Sequence, residues 1–274
     1  MNALLHVGDA DIEVDLSSPV SLALELDFDG PQPRHFGAPL ATSRPYAVPG
    51  FSGSVASGAS CNCAVVTLIP HCNGTHTESA GHLTLEPLDV HRVAPAGFVP
   101  ALLITVTPVL RSGTSETSEP PPRAGDRLVT RSDIERRWPR TLAFDPQALI
   151  IRTGGTATAA ASTTSASGDG PPPPYMSREA ARLLVERGIQ HLVIDVPSID
   201  REHDEGRLCA HRLFFGLPPG EHSLAQARRP GATVTELAHI PSVLGDGPCL
   251  LQLQMPALRG DAVPSRPVLY SLKT

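Results

Sequence analysis

Short apolar runs, several of them rich in β-branched residues, recur along the chain and predict strands rather than long helices. The candidate strands are Ile12–Leu16, Ala64–Ile69, Ala101–Val106, Ala148–Arg152, Gln190–Asp195 and Leu250–Met255. Because helical patterns are interspersed with these strands, the sequence predicts an α/β fold.

Three segments carry helical signals. Ser132 to Glu135 has the spacing of a capping box and predicts a helix start at Ser132. Ser177 predicts the start of a second helix that runs through Arg187, where Gly188 follows and ends it. A third helix is predicted over 208–215.

Two segments, Ser112–Arg123 and Gly154–Pro174, have too few apolar residues to offset the entropy of ordering them. We predict flexible insertions at 112–123 and 154–174, the second of which is either a lid or a disordered loop. Since strand and helix signals continue on both sides of each segment, the sequence predicts one domain over residues 1–274.

The composition is that of an ordinary globular protein, with 274 residues, 41% hydrophobic residues and a net charge of −6. No basic stripe with interleaved aromatics occurs, so nucleic acid is not an expected partner. No signal peptide or long apolar run occurs, which predicts a cytoplasmic protein without a membrane partner. The five cysteines are predicted to be free thiols, and alternation predicts that Cys61 and Cys63 pack in a core.

Potential metal ligands are concentrated between positions 71 and 82, namely His71, His76, Glu78 and His82. Imidazoles and a carboxylate are the donors that zinc and similar divalent cations bind. In an extended strand, residues two apart face the same side, so His76, Glu78 and His82 can project together. His71 has the opposite parity.

Two alternatives would place a ligand near position 71 on the side of the strand that His76 and Glu78 face. Asn73-Gly74 could form a bulge that turns His71 inward, because both residues tolerate left-handed backbone. Without a bulge, Cys72 takes the in-register position, and its thiolate would favour zinc.

The segment from His71 to His82 resembles the H-x-G-T-H-x-D-x-P-x-H signature of the metal-dependent putative cyclase family, which includes bacterial kynurenine formamidase and isatin hydrolase. Further segments resemble the family in the right order. They are Asp15-Leu16-Ser17, Leu149–Gly154, Ile194–Asp200, Ala210-His211-Arg212 and Val234–Leu237.

The resemblance implies a swivelling β/β/α cyclase-like domain with a mixed sheet, assembled as a homodimer or homotetramer. It implies that His71, His76 and Glu78 bind one metal ion. Glu78 would bridge to a second ion held by His211 and Glu236, and His82 would donate and accept protons. The cofactor expected on this basis is zinc or manganese, as one or two ions.

Three positions depart from the family pattern. Glu78 stands where the family has aspartate, the first His–His spacing is one residue longer, and Ala80 replaces a proline. Every ligand position nevertheless carries a side chain that can bind a metal.

We therefore expect an amidohydrolase similar to arylformamidases, which cleaves the C–N bond of a small formamide, amide, lactam or cyclic imide through a metal-bound hydroxide. Cyclase, lactonase or dehydratase chemistry at the same metal is one alternative. A non-catalytic module with a structural metal is the other, and its site would be closed by four protein ligands.

Overall fold

The computed structural model describes residues 1–7, 10–154 and 171–272. The strands within these ranges are β1 Asn2–Val7, β2 Ala10–Asp15, β3 Val20–Ser21, β4 Thr42–Pro45, β5 Ala47–Val48, β6 Phe51–Ser52, β7 Ala64–Thr67, β8 His76–Ser79, β9 Phe98–Thr105, β10 Val109–Leu110, β11 Arg127–Val129, β12 Ala148–Arg152, β13 Tyr175–Met176, β14 His191–Ile194, β15 Thr233–Glu236, β16 Gly247–Gln254, β17 Ala262–Pro264 and β18 Arg266–Ser271. The α-helices in the same ranges are α1 Pro70–Asn73, α2 Val90–Val93, α3 Arg131–Arg137, α4 Arg178–Glu186 and α5 Cys209–Phe215.

A mixed sheet dominates the described part of the chain and has nine strands in the order β17-β8-β15-β14-β12-β9-β16-β18-β3. The four central strands, β15, β14, β12 and β9, are parallel to one another. Antiparallel strands extend the sheet on both sides. The predicted α/β fold class with a mixed sheet is therefore confirmed.

The central strands are buried on both faces, as expected for parallel strands covered on two sides. One face, which includes Leu149, Ile151 and Leu192, packs with apolar residues of α4 and α5. The opposite face, which includes Ile150 and Val193, packs with the strands and loops near the carboxyl terminus. This burial fixes the register of β14 and β15, because a shift by one residue would turn their buried side chains to the other face. The register in turn fixes the position of the polar residues at the ends of these strands.

The predicted strands and two of the three predicted helices correspond closely to observed elements. Ser177 caps α4, because its hydroxyl accepts a hydrogen bond from the amide of Ala180 at 2.9 Å. The third predicted helix is α5, which begins at Cys209.

Two expectations were wrong. Helix α3 begins after Thr130, whose side chain accepts from the amide of Asp133 at 3.2 Å, so Ser132 lies inside the helix and not at its cap. Cys61 and Cys63 are free thiols as expected, but both are exposed in the segment that precedes β7 and so do not pack in a core.

Segment 112–123 contains no strand and no α-helix in the described residues, and only its first two residues belong to a 3₁₀ turn. Glu116 and Thr117 nevertheless hydrogen-bond to α3 and α4. The flexibility of this segment stays a prediction. Most of the other predicted insertion, residues 155–170, lies outside the described residues.

None of the helices in the described ranges combines the length and the hydropathy needed to cross a bilayer.

Candidate metal centre

Two neighbouring antiparallel strands at one side of the sheet carry three of the predicted ligands. In the register of β8 and β15, His76 lies opposite Glu236 and Glu78 lies opposite Val234. His76 and Glu78 face the same side because they are two residues apart. All three side chains are buried.

His71 reaches the site from a short helix, and neither of the two alternatives for its parity is correct. Residues Pro70–Asn73 form α1, so no bulge is needed to turn the ring inward. Gly74 is extended, with φ of 170°. His71 Nδ1 lies 3.1 Å from Glu78 Oε2. Cys72 is buried and belongs to none of the potential ligand groups of the described residues.

His82 lies in a 3₁₀ turn, Ala80–Leu83, that follows β8 directly. The hydroxyl of Ser79 accepts from the amide of Gly81 and starts the turn. A Cβ at Gly81 would lie 2.8 Å from the carbonyl oxygen of Leu88, so glycine allows this close approach. The extended backbone predicted through His82 was therefore wrong, yet its ring still lies 4.3 Å from that of His71.

His211 projects from the first turn of α5 and is completely buried. Asp200 Oδ2 accepts from His211 Nδ1 at 2.7 Å, and the same carboxylate accepts from the amides of Ala210 and His211. Asp200 therefore caps the helix and orients the ring at once. The other ring nitrogen, Nε2, faces Glu78.

The five predicted ligands form two triads that share Glu78. One triad is His71, His76 and Glu78, and the other is Glu78, His211 and Glu236. The ligand atoms within each triad lie within 4.8 Å of one another. His211 Nε2 is 2.7 Å from Glu78 Oε1 and 3.3 Å from Glu236 Oε1.

Several atoms at the centre of this cluster have no hydrogen-bond partner among the described residues. They are both carboxylate oxygens of Glu78 and the Nε2 atoms of His76 and His211. Their close approaches are misaligned for hydrogen bonds, although buried polar atoms normally have partners. Converging lone pairs of this kind, with two buried carboxylates, fit a divalent cation.

The same arrangement shifts the pKa values of the protein without a bound ion. Burial alone would raise the pKa of Glu78, but the nearby His82 and His211 outweigh it and hold the pKa well below its usual range. Burial would lower the pKa of His211, but Glu78, Asp200 and Glu236 raise it well above its usual range. For His71, Asp261 and Glu78 outweigh burial and raise the pKa to about 10. Without a bound cation, protons on these histidines thus offset the negative charge of the neighbouring carboxylates.

Sequence reasoning missed three residues of this region. Asp261 Oδ2 lies 3.0 Å from His71 Nε2 and 3.4 Å from His82 Nδ1. Asp200 was recognised within a motif, but not as the partner of His211. His35 is buried close to the site, and burial lowers the pKa of its ring against the opposing effect of Glu202 and Glu236. No local spacing pointed to His35 or Asp261.

A small cleft beside Asp200 adjoins the end of segment 154–174. Pro173, near the end of segment 154–174, lines this cleft together with Ser198 and Asp200. This contact places one end of the segment near the acid that orients His211. A role for the segment as a lid stays a prediction.

A family model described as "Putative cyclase" matches residues 14–201, which is well over half of the chain. The match includes His71, His76, Glu78 and His82 but ends before His211 and Glu236. Among curated proteins, none matches the sequence significantly.

Solved structures share the fold at low sequence identity. Isatin hydrolase A from Labrenzia aggregata, bound to benzyl benzoate, is 17% identical, with a TM-score of 0.59 over 93% of this chain and 94% of that chain. An isatin hydrolase bound to the product analogue thioisatinate is 16% identical, with a TM-score of 0.58 over 93% and 92% of the two chains. A predicted metal-dependent hydrolase from Bacillus stearothermophilus is 16% identical, with a TM-score of 0.56 over 92% and 98%.

Proposed function

The chain belongs to the putative cyclase family, and from that premise we propose that it is a metal-dependent hydrolase of a C–N bond in a small amide, formamide, lactam or cyclic imide. The observation that carries the proposal is the pair of buried triads that share Glu78, in which several potential ligand atoms lie close together without hydrogen-bond partners. The solved isatin hydrolases, which have the same fold, support the choice of a cyclic amide among the substrates.

In this proposal His71, His76 and Glu78 hold one divalent cation, zinc or manganese, and Glu78, His211 and Glu236 hold a second where two bind. Such a cation lowers the pKa of coordinated water toward neutrality and polarises a carbonyl group. Glu78 is one methylene longer than the aspartate of the family pattern, and a carboxylate with both oxygens available can serve both triads.

His82 is the proposed proton donor and acceptor. Its ring is about a quarter exposed, in contrast to the fully buried His76 and His211. It lies beside both triads, with ring centroids 4.3 Å from His71 and 5.7 Å from His211. A group in this position can pass a proton to the leaving nitrogen of a substrate bound on the open side.

The test of this role is His82→Ala, assayed against a panel of formanilides, lactams and cyclic imides. We expect turnover to fall by about a hundredfold or more, since general acid–base catalysis contributes on that order. Bound metal should stay close to the wild-type amount. His239→Ala, at an exposed position outside the triads, is the matched control. Unchanged turnover in the His82→Ala protein would refute the role.

Two other functions remain as alternatives because they use the same ligands. Lactone hydrolysis or dehydration is distinguished by adding cyclic esters and hydroxy acids to the substrate panel. A purely structural metal is distinguished by chelation. Loss of activity with the fold retained supports catalysis, whereas loss of the fold itself supports the structural role.

A further inference from the structure

We propose that Asp261 is a positioning residue that orients both His71 and His82, an inference that rests on the proposed metal-dependent function. Asp261 lies in the connection between β16 and β17, 190 residues after His71. Asp261 belongs to neither of the two triads, and its side chain is 40% exposed.

The backbone around Asp261 holds the carboxylate in place. The carbonyl oxygen of Asp261 accepts from the amide of Ser79 at 2.9 Å, which ties the residue to the end of β8. Asp89 Oδ1 accepts from the amide of Gly260 at 3.1 Å, immediately before it. The backbone from which the carboxylate projects is therefore fixed relative to the strand that carries His76 and Glu78.

Asp261 determines which nitrogen of His71 is available to a cation. His71 Nδ1 faces Glu78 at 3.1 Å, and Nε2 faces Asp261 at 3.0 Å. A carboxylate that accepts the Nε2–H bond fixes the tautomer in which Nδ1 has a free lone pair. His71 can then bind through Nδ1 on the buried side, toward Glu78.

The same carboxylate oxygen lies 3.4 Å from His82 Nδ1, which is the distance of an ion pair rather than of a short hydrogen bond. A carboxylate at Nδ1 leaves Nε2 of His82 to face the substrate. The aspartate of a Ser-His-Asp triad orients its histidine in the same way without itself taking the proton. One side chain thus sets the orientation of a metal ligand and of the proton donor together.

A third cation site is the competing interpretation, since donor atoms of His71, His82 and Asp261 also lie within 4.8 Å of one another. In that case His71 would have to bind cations through both ring nitrogens, and its ring would be an imidazolate. An imidazole with one N–H bonded to a carboxylate needs no such deprotonation. The geometry therefore favours positioning.

The test compares Asp261→Asn with Glu135→Gln in the full-length protein. Glu135 is a matched control, because its side chain is 41% exposed and ion-paired with Arg131 on α3. Zn²⁺ affinity is measured by competition with a chromophoric chelator, starting from protein stripped of metal. The ring ¹⁵N signals of His71 and His82 are recorded by NMR in the same metal-free protein, and circular dichroism checks folding.

We expect Asp261→Asn to weaken Zn²⁺ binding by about tenfold to a hundredfold, as loss of a ligand's hydrogen-bonded carboxylate does. The ring signals of both histidines should shift, and Asp261→Glu should recover part of the affinity. Glu135→Gln should change neither. Wild-type affinity together with unchanged ring signals in Asp261→Asn overturns the proposal. If Asp261→Asn does not fold, the same two measurements on Asp261→Ala decide, because alanine also removes the carboxylate, and wild-type values there overturn the proposal.

Failure of the proposed function has a different signature. A wild-type chain that binds no Zn²⁺ or Mn²⁺, but in which Asp261→Asn still shifts the ring signals, would refute the metal-dependent function while leaving the orienting contacts intact. A shift at His71 alone would overturn the part of the proposal that concerns His82. A Zn²⁺ stoichiometry that drops by one ion in Asp261→Asn, with the remaining affinity unchanged, would overturn positioning in favour of a third site.

Discussion

At the scale of single residues, the geometry of the two triads depends on carboxylates that belong to neither of them. Asp200 is the clearest of these, because it accepts from His211 Nδ1 at 2.7 Å and from two amides at the start of α5. Its side chain is 6% exposed, so the hydrogen bond is protected from water. The orientation of His211 toward Glu78 and Glu236 follows from this contact.

Asp200→Asn tests that role. The amide is similar in volume, but it cannot accept from the ring nitrogen and the two helix amides as a charged carboxylate does. We expect the affinity for Zn²⁺ to fall by about tenfold to a hundredfold. Isothermal titration measures it, with Asp246→Asn at an exposed position near Arg152 as the control. Equal affinities in the two variants would contradict the role.

The ligand types were predictable from the sequence because histidine and glutamate occur there at unusual density, between His71 and Glu78. The orienting residues were not. Asp261 meets His71 across 190 residues, and no spacing along a chain indicates such a contact. Asp200 is an intermediate case, since its motif was recognised although its partner was not.

At the scale of elements, the predicted start of a helix was wrong where a contact with another segment determines the position of the cap. Glu116 accepts from the amides of Arg131 and Ser132, at 2.7 and 3.1 Å, and so satisfies the first free amides of α3. This leaves the cap position to Thr130 rather than to Ser132. The start of α4 was predictable because its cap, Ser177, acts within its own segment.

Thr130→Ala and Ser132→Ala separate the observed cap from the predicted one. We expect Thr130→Ala to lower the free energy of unfolding by about 1 kcal/mol, the usual effect of losing an N-cap side chain. Ser132→Ala should lower it by less than about 0.5 kcal/mol, as for most helix-surface substitutions. Urea denaturation measures both. A larger loss in Ser132→Ala would reinstate the capping box.

Side chains alternate as strand geometry predicts only within β8 itself. His76 and Glu78 lie in β8 and face the same side, as predicted. His71 and His82 lie in helical turns on either side of β8, and each still reaches the site. A strand of four residues between two tight turns is too short for the sequence pattern to show where the strand begins and ends.

At the scale of the whole molecule, the mixed sheet and its two packed faces followed from the apolar runs, whereas the strand order required tertiary contacts. The order places β15 between β14 and β8, which brings Glu236 beside His76 although 160 residues separate them. Assembly into a homodimer or homotetramer stays a prediction, which light scattering of the purified protein would test.

Both the stability of the metal-free protein and its affinity for a cation should depend on pH. The pKa of His71 is raised from 6.5 to about 10, and that of His211 is also raised, so both rings hold protons near neutrality in the metal-free protein. The stabilisation from a raised pKa is complete below 6.5 and is lost as pH rises toward 10. A cation requires the unprotonated rings, so its binding strengthens over the same range.

We therefore expect the difference in Tm between Zn²⁺-loaded and metal-free protein to widen from about pH 6 to about pH 9, as binding of the cation to the native state becomes tighter. Differential scanning calorimetry at fixed free Zn²⁺ measures it. A difference that is constant or that narrows with rising pH would be inconsistent with ligation by His71 and His211.

We propose that a divalent cation binds between the two buried triads that Glu78 joins. The most direct measurement is the metal-to-protein ratio, by elemental analysis, of the wild type and of Glu78→Gln. We expect one or two zinc or manganese ions per wild-type chain, and loss of most of this metal in Glu78→Gln, which has lost the shared charge. Wild-type protein without metal after incubation with both cations, or full retention of metal by Glu78→Gln, would contradict it.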